Sequence, residues 1–363
     1  MLNLVEILFN NGRIDQAIKL VESSLDSYPN QPDLQLAAYA LYKEKGNIDT
    51  AERLMVAAFS NPDLEGRVKA EAFSDLLQEM KTARRDSLMT VLVKELEEHH
   101  PNDPDVLTIL GDRLYFNNQK KEALTYYKKA ITVSPSNAQV LQGIITIMFE
   151  LGEDYADIEK YTITAVDEFP EKSEFWFFDG TAKLAQKKGE EAVASLLSAI
   201  DNNAGKNKPL NLLIMASLGD AYHQVGKNEE AFRAYDEVLA AKPDDEHVLN
   251  NYAYFLSLAK KDLDKAKGMS EQLVKKFPNN STYLDTHAWV LFQLKDYENA
   301  RVFMERALEL EEKPSGVMLE HYGDILYHLG NRKEALSYWK KAEGGEETSA
   351  FLIKKIKEQK YYD

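Results

Sequence analysis

The side chains best suited to chemistry in this sequence are seven histidines set among 60 acidic residues. His321 and His328 are seven apart and on a helix share one stripe with Glu320 and Asp324, a geometry that suits a divalent cation. No third or fourth ligand recurs at matching spacing, which argues against a metal. His99 and His100 are neighbours, so on a helix they point about 100° apart and hold no ion together. They read as exposed residues ahead of Pro101. The chain has no cysteine, which excludes disulfides, thiolate catalysis and cysteine-ligated zinc. It shows no phosphate loop, nucleophile elbow or dinucleotide fingerprint. Acidic pairs such as Asp244-Asp245 and Glu311-Glu312 border expected helix ends, where dipole stabilisation and solvation account for them. These residues predict a protein that is not an enzyme and needs no cofactor.

The elements that must carry these residues follow from one recurring pattern. Ser217-Leu218-Gly219-Asp220-Ala221-Tyr222 is followed by Gly226, Ala231, Tyr235 and Pro243. The small residue returns at Ala266, Ala300 and Ala335, at intervals of 35, 34 and 35 residues, and the last copy repeats Tyr322-Gly323-Asp324, Gly330 and Trp339. A period of this length means stacked pairs of antiparallel helices, in which each pair packs only on its neighbours. Gly219 and Gly323 fall mid-helix, where glycine costs about 1 kcal/mol relative to alanine. Close approach of the paired helix, with Tyr235 or Trp339 filling the space, compensates for it. Gly226 and Gly330 suit the turn inside a pair, and Pro243 and Pro278 the stop after it.

The pattern extends to both ends. Ala17 and Ala51 are 34 residues apart, and Ala51 to Ala123 is 72, twice 36, so residues 64–100 form a degenerate unit with helices expected at 68–80 and 87–96. Later units carry Ala123, Ala165, Ala192 and Ala199; Ala192 to Ala231 is stretched to 39 residues by the loop 202–208. The expected architecture is an all-α solenoid of about ten helix-turn-helix repeats in a right-handed superhelix. N-terminal units occupy 1–201, a loop or joint 202–208, further units 209–346, and a solubilising capping helix 347–363, with Phe351, Leu352, Ile353 and Ile356 inward and Lys354, Lys355, Lys357 and Lys360 in water.

With 60 acidic against 44 basic residues the net charge is −16, which repels nucleic acid and favours neutral or cationic protein partners. No run approaches the ~20 apolar residues of a transmembrane helix. Met1 to Asn11 reads as a first helix already in progress, so the natural chain is expected to begin earlier.

The array resembles the tetratricopeptide-repeat (TPR) superfamily over nearly all of residues 1–346. The final third, with Leu249-Asn250-Asn251-Tyr252-Ala253-Tyr254, Tyr283-Leu284-Asp285-Thr286-His287-Ala288-Trp289 and Glu320-His321-Tyr322-Gly323-Asp324, is similar to TPR lipoproteins of the Gram-negative envelope, some of them adaptors for a processing protease. That resemblance implies a signal sequence and lipid-bearing cysteine upstream, a periplasmic or outer-membrane-anchored location, and roles for Asn250, Asn251, Tyr254, Asp285, Trp289, His321 and Asp324. A cytoplasmic regulatory scaffold is the alternative, and homo-oligomers fit either reading.

The functional surface of such an array is the groove lined by the first helix of each pair. Counting along those helices places Tyr115 and Phe116, then Phe177 and Thr181, in the groove. Asp220, His223, Asn251, Phe255, Asp285, Trp289, Phe292, Glu320, Asp324 and Tyr327 then form the expected partner-binding surface. Aromatics mixed with Asn and Asp suit an extended peptide, because rings supply burial and polar groups fix its backbone. An acidic chaperone tail, which needs a Lys and Arg clamp, meets like-charge repulsion here. Asn251, Asp285, Trp289 and Asp324 are expected to make one continuous patch.

Overall fold

A computed structural model describes the chain apart from Met80 and Glu347, and every regular element among the described residues is an α-helix. The helices form two compact units, Met1–Pro170 and Glu171–Asp363. The first holds the pairs α1 (Leu2–Asn10) and α2 (Ile14–Ser27), α3 (Pro32–Glu44) and α4 (Ile48–Phe59), α5 (Gly66–Gln78) and α6 (Ala83–His99), α7 (Pro104–Phe116) and α8 (Lys120–Val133), α9 (Ala138–Leu151) and α10 (Tyr155–Glu168). The second holds α11 (Ser173–Ala185) and α12 (Gly189–Asn203), α13 (Lys208–Gln224) and α14 (Asn228–Ala241), α15 (Glu246–Leu258) and α16 (Leu263–Lys276), α17 (Ser281–Gln293) and α18 (Tyr297–Leu310), α19 (Gly316–His328) and α20 (Arg332–Ala342), and then α21 (Leu352–Glu358) alone. The expected all-α array of helix pairs is therefore present, including the degenerate pair α5–α6. The helix end expected at Met80 and the start of the cap at Glu347 lie outside the described residues.

Local chemistry explains the punctuation. Asp103, Asn137, Asn207, Asp245, Asn280 and Ser315 cap their helices by accepting a backbone N–H of the first turn. Gly226 and Gly330 sit at φ +74° and +86°, the left-handed conformation that ends the first helix of a pair. Inside the pairs, Ala17, Ala51, Ala123, Ala165, Ala192, Ala231, Ala266, Ala300 and Ala335 are all buried. They let the paired helix come close, and the expected ring-on-glycine contact is there: Tyr235 lies against Gly219 and Trp339 against Gly323, with Tyr127 against Gly111.

Two expectations change. The stretch 202–208 lies within the second unit, and its two ends are helical. Only residues 204–207 separate α12 from α13, because the buried Asn203 side chain donates to the Asn207 carbonyl (3.0 Å) and accepts the Asn207 N–H (3.0 Å). One core of Val193, Leu196, Leu210, Ile214 and Leu218 spans it. The cap also faces differently. Leu352 and Lys355 are buried, whereas Phe351 and Ile353 are 42% and 59% exposed, since so short a helix has one inward stripe and buried acids claim the lysine on it.

Candidate partner-binding site

Along the first helices a central position recurs, with one flanking residue four before it and another three after. In three pairs the central residue is an aspartate whose oxygen accepts from a ring on the second helix, 15 residues on. Tyr127 donates to Asp112 (2.5 Å), Tyr235 to Asp220, and Trp339 Nε1 to Asp324 (2.9 Å). Stacking at a period near 35 residues then brings the flanking position of the next first helix, 31 residues on, over that aspartate.

At Asp220 that residue is Asn251, whose amide donates to Oδ1 at 2.8 Å, and His247 Nε2 lies 2.7 Å from Oδ2. The carboxylate beside it raises the His247 pKa. His223 stacks on Phe255 with ring centres 3.4 Å apart, and burial lowers its pKa. These four expected groove residues come together as one polar and aromatic cluster. Beside them a cavity of about 730 Å³ is lined by Asp245, His247, Asn250, Asn251 and Tyr283.

Further along, Asp285 meets His321 Nδ1 at 2.9 Å, and the His321 ring stacks on Trp289 at 3.9 Å. Phe292 covers the other flank of Trp289 at 4.6 Å. Trp289 and Phe292 are only 6% and 4% exposed, so they are packed rather than open to a partner, and the indole N–H has no hydrogen-bond partner among the described residues. His321 is thus engaged by Asp285, while His328 stacks on Tyr297 at 4.7 Å. The two histidines serve different neighbours, which corrects the stripe read from their spacing. Among the described residues no group of three or more His, Cys, Asp or Glu is placed to hold a metal ion.

The last helix pair corrects the expectation most. Glu320 and Asp324 are 2% and 1% exposed because the chain's own C-terminal segment covers them. Lys355 Nζ reaches Glu320 at 2.8 Å and Asp324 at 2.6 Å, and the Ser349 N–H donates to Glu320 at 2.7 Å. Burial pushes Asp324 up to about 7 despite the ammonium, whereas Glu320 is lowered on balance, by Lys355 and Ser349 against its burial. Past α21, Tyr361 packs on His328 (4.7 Å), Phe292 (5.8 Å) and Tyr327 (6.5 Å), and Asp363 pairs with Lys260 after α15. The tail thus crosses the groove face from α19 over α17 to the turn after α15. Sequence reasoning missed it, although Lys355 stands 31 residues after Asp324, the spacing of Asn251 from Asp220.

In the first unit, Tyr115 is half-buried with its hydroxyl 3.3 Å from Glu150, and Phe116 is exposed. In the second, Thr181 donates to the Phe177 carbonyl at 2.8 Å. His99 and His100 are half-buried rather than exposed, and His100 Nε2 is buried without a hydrogen-bond partner among the described residues.

Family models described as tetratricopeptide repeat match residues 104–137, 179–246 and 282–314. Tetratricopeptide repeat protein 21A of Homo sapiens is 26% identical over 165 residues, 45% of this chain and 12% of that protein. Cellulose synthase operon protein C of Pseudomonas fluorescens (strain SBW25) is 21% identical over 352 residues, 92% of this chain and 25% of that protein. The chain thus spans a quarter or less of the length of these relatives. Among solved structures, the APC/C hetero-tetramer Cut9-Hcn1 superposes with a TM-score of 0.51 at 15% identity, covering 98% of this chain and 82% of that one. The C-terminal part of a TPR repeat-containing protein from Cytophaga hutchinsonii gives 0.50 at 15% identity, over 69% of this chain and 98% of that one. Matched repeats, helix pairs and ring-on-glycine packing agree, and the chain carries tetratricopeptide repeats.

Proposed function

We propose that this protein is a non-catalytic adaptor whose first-helix groove in residues 171–363 binds a segment of a partner protein. Proteins of this repeat family are generally interaction scaffolds, and one observation carries the reading to a site. Residues 349–363 already lie on that face, using a buried lysine on two carboxylates, a tyrosine among aromatic rings and a terminal acid on Lys260. A face that accepts this segment has the chemistry to accept another with a cation, a ring and an acid in the same order. Location in the bacterial envelope is part of the proposal and rests on the resemblance of the final third.

The test uses a chain ending at residue 346 and a fluorescent peptide with the sequence of residues 349–363. Saturable binding that weakens at least tenfold for the peptide with Lys355→Gln supports the groove. A folded truncated chain that leaves the peptide free in solution sinks it. Recovery of the native protein in the cytoplasmic fraction of its cells would move the adaptor to a cytoplasmic scaffold.

A further inference from the structure

The three aspartates of the groove differ in what meets them. Asp220 is met by Asn251 and Asp324 by Lys355, each 31 residues on. At that spacing from Asp112 stands Gly143, which has no side chain to offer. Among the described residues Tyr127 alone gives Asp112 a side-chain hydrogen bond, and it occupies one oxygen. Where the amide of Asn251 and the ammonium of Lys355 lie in the other two copies, a cavity of about 340 Å³ opens, lined by Asp112, Tyr115, Gln139, Gln142, Gly143 and Thr146.

We propose that this cavity receives the ammonium group of a lysine side chain from a partner protein. The occupied copy is the template, because Lys355 shows what an aspartate in this repeat position accepts when a lysine reaches it. An ammonium has three donors and no acceptor. Asp112 supplies the charge, and Gln139, Gln142 and Thr146, each of which carries an acceptor oxygen, are among the residues that line the cavity. Burial raises the Asp112 pKa, the sign expected of a carboxylate with no cation beside it. The net charge of −16 favours a basic segment over an acidic one. Glu150, which accepts from the Tyr115 hydroxyl, is paired to Lys120 at 3.3 Å, and Asp112 is the carboxylate among the lining residues. The inference rests on the adaptor reading in that it names what one groove position selects, but it concerns the first unit.

The experiment uses the full chain and Nα-acetyl-lysine N-methylamide as the probe, followed by the backbone amide signals of Gln142, Gly143 and Thr146 in NMR spectra. Saturable shifts are expected at these residues, with affinity at least tenfold weaker for Asp112→Asn and no saturation with the Nε-acetylated probe. Gly143→Asn places at Asp112 the amide that Asn251 gives Asp220 and is expected to fold and to lose the probe. Equal response to the Nε-acetylated probe, or full binding by folded Asp112→Asn or Gly143→Asn, overturns the proposal. If Asp112→Asn does not fold, the acetylated probe on the unmodified chain and Gly143→Asn decide alone. This result is independent of the truncation experiment on the second unit, so the two readings fail separately.

Discussion

A methyl group added at Gly219 or Gly323 would stand 2.4 Å from a ring carbon of Tyr235 or Trp339. Helix propensity favours alanine by about 1 kcal/mol, and the clash of an overfilled core costs about 1–3 kcal/mol. Gly219→Ala and Gly323→Ala are therefore expected to destabilise. Gly268, in α16 with nothing within 4 Å of its added carbon, is expected to gain about 0.5–1 kcal/mol as alanine. Urea midpoints of the three variants check the opposite signs. At Asp324 the residue scale becomes a pH dependence. Its pKa of about 7 in the folded chain compares with about 3.9 when unfolded, so between these values the folded state holds a proton that unfolding releases. The contribution of this group is full below about pH 4 and lost as pH rises through about 7. The stability of the unmodified chain relative to Asp324→Asn should fall across that window, and a flat difference in denaturant midpoints would refute it.

Among the elements, α21 takes the place of one more first helix, and its seven residues bury a lysine between two acids. Removing one partner of a buried charge network costs about 3–5 kcal/mol, while replacing the whole network can be nearly neutral. Lys355→Met is thus expected to lose about 3 kcal/mol, and the triple change with Glu320→Gln and Asp324→Asn to recover most of it, both read from chemical denaturation. The short turn at 204–207 makes a second test. Asn203→Ala removes bonds to Asn207 and is expected to open the Lys206–Asn207 bond to trypsin at a dose the unmodified chain resists, with about 1–2 kcal/mol lost. The helix pairs themselves were legible because small residues at a fixed period have a local packing cause: Ala231 is fully buried, and an added carbon at Gly219 would meet the Tyr235 ring. The faces of the groove were only half legible. Asp220, His223, Asn251 and Phe255 do meet, but exposure of Trp289 and Asp324 depends on what else lies over them. That is a long-range fact, set at Trp289 by His321 and Phe292 and at Asp324 by a tail whose lysines the sequence places in water.

For the molecule as a whole, charge and repeat number speak of a scaffold, and the two compact units give it separately measurable parts. All three tryptophans, Trp176, Trp289 and Trp339, fall in Glu171–Asp363. Indole emission in a denaturant series therefore follows the second unit, while far-ultraviolet dichroism follows the helices of both. Repeat arrays sum local and neighbour terms, so the two curves are expected to part by a measurable shift in midpoint; superimposable curves would mean that both units unfold together. The same placement has an optical consequence. Excitation at the red edge of the indole band leaves Met1–Pro170 dark, including the cavity at Asp112. A ligand filling that cavity is silent in this channel unless its arrival is felt in the other half, so the chain carries a built-in reporter of communication along the array that needs no label.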